Sequence, residues 1–229
     1  MKAIAFSVNS DGTSTVYGLH PSNIVVDLDN GHGTRQYNAA NKSPDGRYYE
    51  GEFSRTIVQK LSAALKELGF GVNIITPEPQ DISLPERCRR ANALMQKDGD
   101  KKYHILISIH SDAQPKDSLG KDGWGDARGM GVHVALKASK VSKLLATNVY
   151  EAAMAMGLKG NRKTSGYKIS PWTIINDTKM PAILTESAFH TNKQDVDFLL
   201  SEAGQETVVN YHVAGICKTF GIPYSICKG

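Results

Sequence analysis

Ile24-Val25-Val26-Asp27-Leu28-Asp29-Asn30-Gly31-His32-Gly33 is the stretch from which the rest of the chain can be read. Its first half is β-branched and apolar, and its second half is polar and rich in glycine. A strand that breaks into such a loop is how an α/β sheet places chemistry at a strand's carboxyl end. The same pattern returns at 105–109, a nearly all-apolar run ending at His110, and at 182–185, which ends at Glu186. Runs of this kind are buried on both faces of a mainly parallel sheet.

Helical periodicity fills the intervals. Phe53, Ile57, Leu61, Leu65 and Leu68 recur at helical spacing from about Glu50, and Gly69 marks the stop. Further helices are expected over 84–96 (Leu84, Cys88, Ala91 and Leu94 or Met95 inward), 139–156, 194–201 and 205–220. Further strands are expected at 70–75, 132–136 and 173–175, with 111–129 and 158–171 as long loops. Alternation of strands and helices predicts an α/β fold: a single domain with a mainly parallel sheet. The expected division is an N-terminal extension at 1–21, with a hairpin around Asp11-Gly12, a catalytic domain at 22–222 and a short tail at 223–229.

Composition agrees. The 229 residues suit one such domain, and 40% hydrophobic with 22% charged residues reads as globular. The net charge of +4 is spread without a run of five like charges, so no nucleic-acid partner is expected despite a pI near 8.8. No stretch approaches the roughly 20 apolar residues of a membrane span. Met1–Phe6 is too brief for a signal-peptide core, so no export signal is expected. The three cysteines, Cys88, Cys217 and Cys227, are odd in number and form no CxxC; the first two read as buried thiols, and no disulfide framework is expected.

His32, His110 and Glu186 share one rim of the predicted sheet. Glu50 joins them: it stands three, seven and eleven positions before Phe53, Ile57 and Leu61, on the inward face of its helix. A carboxylate on an apolar stripe requires a partner, and a metal ion would supply one. Two imidazoles and a carboxylate make a catalytic zinc set, with a fourth position for water. Zinc would acidify that water and polarise a carbonyl, and Glu186 could carry the proton. Each residue also has a plain structural explanation: turn residue, core histidine, first-turn acid, helix-start acid. Convergence of all four on one rim is what favours chemistry.

These segments resemble the zinc-dependent N-acetylmuramoyl-L-alanine amidases known as amidase type 3. Asp29-Asn30-Gly31-His32-Gly33 resembles the family's D-x-G-H-G, and Glu50 its second ligand. Ser108-Ile109-His110-Ser111-Asp112-Ala113 resembles S-I-H-x-[ND]-A, and 176–186 the stretch that ends in the catalytic glutamate. The resemblance covers about 23–220. It implies one Zn2+ on His32, Glu50 and His110, Glu186 as general base and acid, a twisted sheet of about six strands flanked by helices, and peptidoglycan as substrate. Asn30 and Asp177 depart from the family's proline and asparagine, and Ser187-Ala188-Phe189 lacks a glycine common there.

Arg162 and Lys168, in the long loop, are candidates for a stem-peptide carboxylate. Trp124 and Trp172 either flank a sugar or pack. His190 reads as an exposed loop histidine, and His20, His104, His133 and His212 as structural. The rival readings are a zinc peptidase acting within the stem peptide and a non-catalytic wall-binding module. Zinc peptidases tend to use a close His-x-x-Glu pair, whereas His32 lies eighteen positions before Glu50; a binding module would be expected to lack a ligand or Glu186. A compact amidase of this kind resembles a phage lysis enzyme, with a periplasmic or extracellular bacterial enzyme as the alternative.

Overall fold

The computed structural model describes residues 5–8, 14–163 and 165–224; the expected turn at Asp11-Gly12, and Cys227, fall outside these. An antiparallel hairpin of β1 (Ala5–Val8) and β2 (Ser14–Tyr17) comes first. The body then runs β3 (Ile24–Asn30), α1 (Glu50–Glu67), β4 (Gly71–Ile74), α2 (Leu84–Asp98), β5 (Tyr103–Asp112), β6 (Gly131–Val134) and α3 (Lys140–Ala155). It ends with β7 (Tyr167–Ile169), α4 (Thr173–Asn176), β8 (Ala182–Phe189), α5 (Lys193–Leu200) and α6 (Glu202–Phe220).

Six strands form one sheet in the order β4-β3-β5-β8-β6-β7. Every pairing is parallel except β6 with β8, so β6 and β7 run against the other four. β3 and β8 are buried along their whole lengths, as apolar runs with helices on both sides must be. Successive side chains of a strand point to opposite faces. Ile105, Ile107 and Ile109 enter the large core shared with α1, α3 and α6, whereas Leu106 joins a smaller cluster with Cys88 and Ala91 of α2 and Ile174 and Ile175 of α4. Ser108 and His110 follow Leu106 in that alternation and stand on the α2 side of the rim.

The sheet has the expected six strands, but one expected strand is not among them. Residues 173–175 are the short helix α4, and the edge strand is β7, inside the expected loop. Ser170-Pro171-Trp172 decides this. The Trp172 carbonyl accepts from the amides of Ile175 and Asn176, and Asn176 Nδ2 donates to the carbonyls of Ser170 and Trp172. A short apolar run such as Ile174-Ile175 serves a buried helix as well as a strand. In α2, Arg87 joins Cys88 and Ala91 on the buried face, while Leu84 is exposed rather than inward.

Candidate metal centre and active site

His32 follows β3 with φ +61°, a left-handed conformation unusual for a side-chain-bearing residue. Its carbonyl accepts from Arg55 Nη1 at 2.7 Å, and the Gly31 carbonyl accepts from Ser54 Oγ at 2.7 Å, so α1 clamps the turn from below. Two glycines allow the close approach. A Cβ on Gly31 would lie 2.5 Å from the His110 ring, and one on Gly51 would lie 1.8 Å from the Gly33 carbonyl oxygen.

Glu50 opens α1 and is buried. Its Oε1 accepts from the Ser111 amide at 3.0 Å and lies 3.0 Å from His110 Nδ1; Oε2 is 3.5 Å from His32 Nε2. The two imidazole rings meet edge to face at 5.2 Å. Burial pushes the Glu50 carboxyl up, but His110, His32 and His190 outweigh it and hold the group below its usual range. Burial lowers His32, which keeps its imidazole neutral, the form that binds metal.

One ligand atom from each of His32, Glu50 and His110 lies within 4.8 Å of the others. Two imidazole nitrogens and one carboxylate oxygen are the donor chemistry of a catalytic zinc site. An open side is also present: a cleft of about 340 Å³ is lined by His32, His110, Asp81, Leu84 and Arg87. The residues present therefore fit a divalent ion.

Glu186 stands beside them through strand register: β5 and β8 pair His110 with Glu186, and β8 and β6 pair Glu186 with Gly131. It is buried, and its Oε2 has no hydrogen-bond partner among the described residues. Burial raises its carboxyl well above the usual range, Asp112 and Glu50 raise it further, and Arg162 and Lys168 oppose them.

Arg162 is close by, but it is engaged. Its Nη2 donates to Asp112 at 2.8 Å, its Nε donates to the Gly129 carbonyl at 2.9 Å, and its guanidinium lies 4.3 Å from the Phe189 ring. Lys168, half-buried on β7, stands level with His133 of β6. Trp172 stacks on His133 at 4.1 Å, and Trp124 is half-buried with Lys193 over its ring.

His190 is not the exposed loop residue its position suggests. It is buried behind the centre, with Nδ1 3.0 Å from Ser111 Oγ and its ring stacked on Tyr48. The amide of His190 donates to the Asp112 carbonyl, which carries the parallel β5–β8 pairing one residue past Phe189. His104 and His212 are buried and hydrogen-bonded, His133 is buried against Ser170, and His20 caps a short 3-10 turn. Cys88 and Cys217 are buried free thiols.

The residues that sequence reading missed stand behind the histidines. Asn38 Nδ2 lies 3.2 Å from His32 Nδ1 and donates to Asp81, and buried Arg87 joins Asp81 to Asp29. A signal was present: Arg87 adjoins Cys88 and lies four before Ala91, on the inward stripe of its helix. A buried cation there calls for a buried acid, and Asp29 is an acid in a buried strand.

Residues 25–218 match the family described as N-acetylmuramoyl-L-alanine amidase. Among curated proteins the chain is 26% identical over 200 residues to an endolysin of Bacillus phage SPP1, covering 86% of this chain and 66% of that protein. Among solved structures it is similar to N-acetylmuramoyl-L-alanine amidase from Clostridium difficile 630, with a TM-score of 0.71 and 25% identity over 85% of this chain and 95% of that one. It shares its fold with the N-acetylmuramyl-L-alanine amidase Ami1 from Mycobacterium smegmatis, at a TM-score of 0.71 and 21% identity over 89% and 99% of the two chains. No helix among the described residues is long and apolar enough to cross a membrane.

Proposed function

The chain belongs to the N-acetylmuramoyl-L-alanine amidase family, and from that premise we propose that it hydrolyses the amide bond between the muramyl lactyl group and L-alanine in peptidoglycan, using one zinc ion held by His32, Glu50 and His110. One observation carries the reading. Three groups able to hold a metal ion converge, and a buried carboxylate with an unpartnered oxygen stands in register with one of them.

A zinc ion held by these three residues would polarise the substrate carbonyl and acidify a water. The chain's own groups do the rest. Glu186 takes the proton of the attacking water on its free Oε2 and delivers it to the departing L-alanine nitrogen. Its buried setting favours a carboxyl that carries a proton readily, and a dication beside it would draw the group back toward ionisation. Asp112, fixed by Arg162, holds negative charge next to Glu186 and favours the protonated form needed for departure. Lys168 is the candidate for a stem-peptide carboxylate; Arg162, which has its own carboxylate in Asp112, serves a stem carboxylate through its remaining Nη1 donor. The likeness to a phage endolysin supports a role in host lysis.

The test is digestion of purified peptidoglycan by zinc-loaded protein, with mass spectrometry of the new ends. Free lactyl carboxylates paired with new L-alanine amines are expected. New ends inside the stem peptide would instead make the protein a peptidase.

A further inference from the structure

The two histidines present different nitrogens to Glu50: His32 its Nε2, and His110 its Nδ1. An imidazole can bind a metal through Nδ1 only if its ring proton is kept on Nε2, and what keeps it there is the hydrogen bond that Nε2 makes. His110 Nε2 lies 3.1 Å from Ser108 Oγ, and Ser108 Oγ donates to Asp29 Oδ2 at 2.7 Å. Because the serine proton is directed at the carboxylate, the hydroxyl oxygen faces His110 as an acceptor. Asp29 in turn accepts on Oδ1 from Arg87 Nη1 at 2.9 Å. Arg87 is fixed by the carbonyls of Ile82 and Asn30 and by Asp81. All three groups are closed off from water: Ser108 is 0%, Asp29 1% and Arg87 2% exposed.

We propose that Arg87, Asp29 and Ser108 form a positioning relay that holds the His110 proton on Nε2 and so turns the Nδ1 lone pair toward Glu50 and the metal ion. This rests on the reading of His32, Glu50 and His110 as metal ligands. The relay explains three features that packing alone does not require. An arginine lies on the buried stripe of α2, an aspartate lies inside a buried strand, and a serine stands two positions before His110 on the same face of β5. It also ties the metal centre to α2, the helix that lines the cleft beside it.

Nuclear magnetic resonance of zinc-loaded protein with 15N-labelled histidine reads the relay directly, and competition against a chelator reads zinc affinity. In the unaltered protein, His110 is expected to bind zinc through Nδ1 and to show a slowly exchanging Nε2 proton. Ser108→Ala is expected to speed that exchange at least about tenfold and weaken zinc binding about 10–100-fold; Ser108→Thr, which restores the hydroxyl, should recover both. Zinc bound through Nε2 of His110 in the unaltered protein would overturn the proposal without any variant. So would a Ser108→Ala protein with unchanged affinity, or one with weakened affinity but an unchanged Nε2 proton, which would make the serine a packing residue. If the protein bound no zinc at all, both the metal reading and the relay would fall. The expected signature in a protein that left peptidoglycan uncut would support the relay and overturn only the amidase reading.

Discussion

Glu186 and His32 are both buried or half-buried at one rim, yet their substitution should separate two functions. Under the proposed mechanism, Glu186→Ala removes the proton carrier and leaves the three proposed ligands in place. It should keep zinc and lose about 10²–10⁴-fold in turnover, the usual contribution of a positioned acid–base group. His32→Ala should lose the metal, read by chelator competition; if it held zinc as tightly as the parent, the ligand set would be wrong. A second residue, Ala188, sits two positions after Glu186 at φ +73°, in the region where a Cβ costs about 1–2 kcal/mol. Glycine is common at this place in the family the sequence resembles, so the departure leaves strain behind. Ala188→Gly should stabilise the fold by about 0.5–1 kcal/mol after the entropy of glycine is subtracted, read as a higher urea midpoint. His104 offers a test by pH. Burial opposes its charge, but Asp27 at 2.7 Å and Asp98 at 3.1 Å outweigh burial and raise its pKa. A raised histidine stabilises the fold fully below its unfolded value near 6.5, and the benefit is lost as pH rises through the folded value. The melting-temperature advantage over His104→Gln should therefore be larger at pH 5.5 than at pH 9; a constant difference would remove the aspartates' role.

The loop from β3 into α1 is the element that assembles the site, and its construction explains what could be read in advance. The runs before His32, His110 and Glu186 are apolar, so their shared rim was legible from hydrophobicity; the strand order and the pairing of His110 with Glu186 were not, and β5 and β8 continue past these two residues to Asp112 and Phe189 rather than ending at them. Glu50 was legible because helical period put an acid on an apolar stripe. His190 was not, because its burial depends on Tyr48 and Ser111, contacts made across long sequence separation. The segment 173–175 failed for a different reason. Its two isoleucines fit either a strand or a helix, and the hydrogen bonds of Trp172 and Asn176 that choose between them leave no periodic trace. The close packing of the β3–α1 loop yields a prediction at this scale. Gly51→Ala forces a Cβ against the Gly33 carbonyl within the first turn of α1. It should destabilise by about 1–3 kcal/mol, as overpacking does, and also weaken zinc binding because Glu50 is the preceding residue. Weaker binding without lost stability, or the reverse, would mean that loop and site are not coupled.

At the scale of the molecule, the proposed metal centre is a joint among three elements. His32 comes from the loop after β3, Glu50 from α1 and His110 from β5, and β3 and β5 are adjacent in the sheet with α1 packed against both. An ion bound to all three is bound only by the folded chain, so its binding energy adds to folding stability. At a free zinc concentration a hundredfold above the dissociation constant the gain is about 2.7 kcal/mol. For a domain of this size that corresponds to a rise of about 5–11 °C in melting temperature. The variants sort the contribution. Glu186→Ala, with its ligands intact, should show the same zinc-dependent rise as the parent. His32→Ala should show little or none, and chelation should return the parent to its metal-free value. Calorimetry with and without zinc measures all three. A rise that survived His32→Ala would place the stabilising ion elsewhere in the fold, and the convergence of these ligands would then be packing alone.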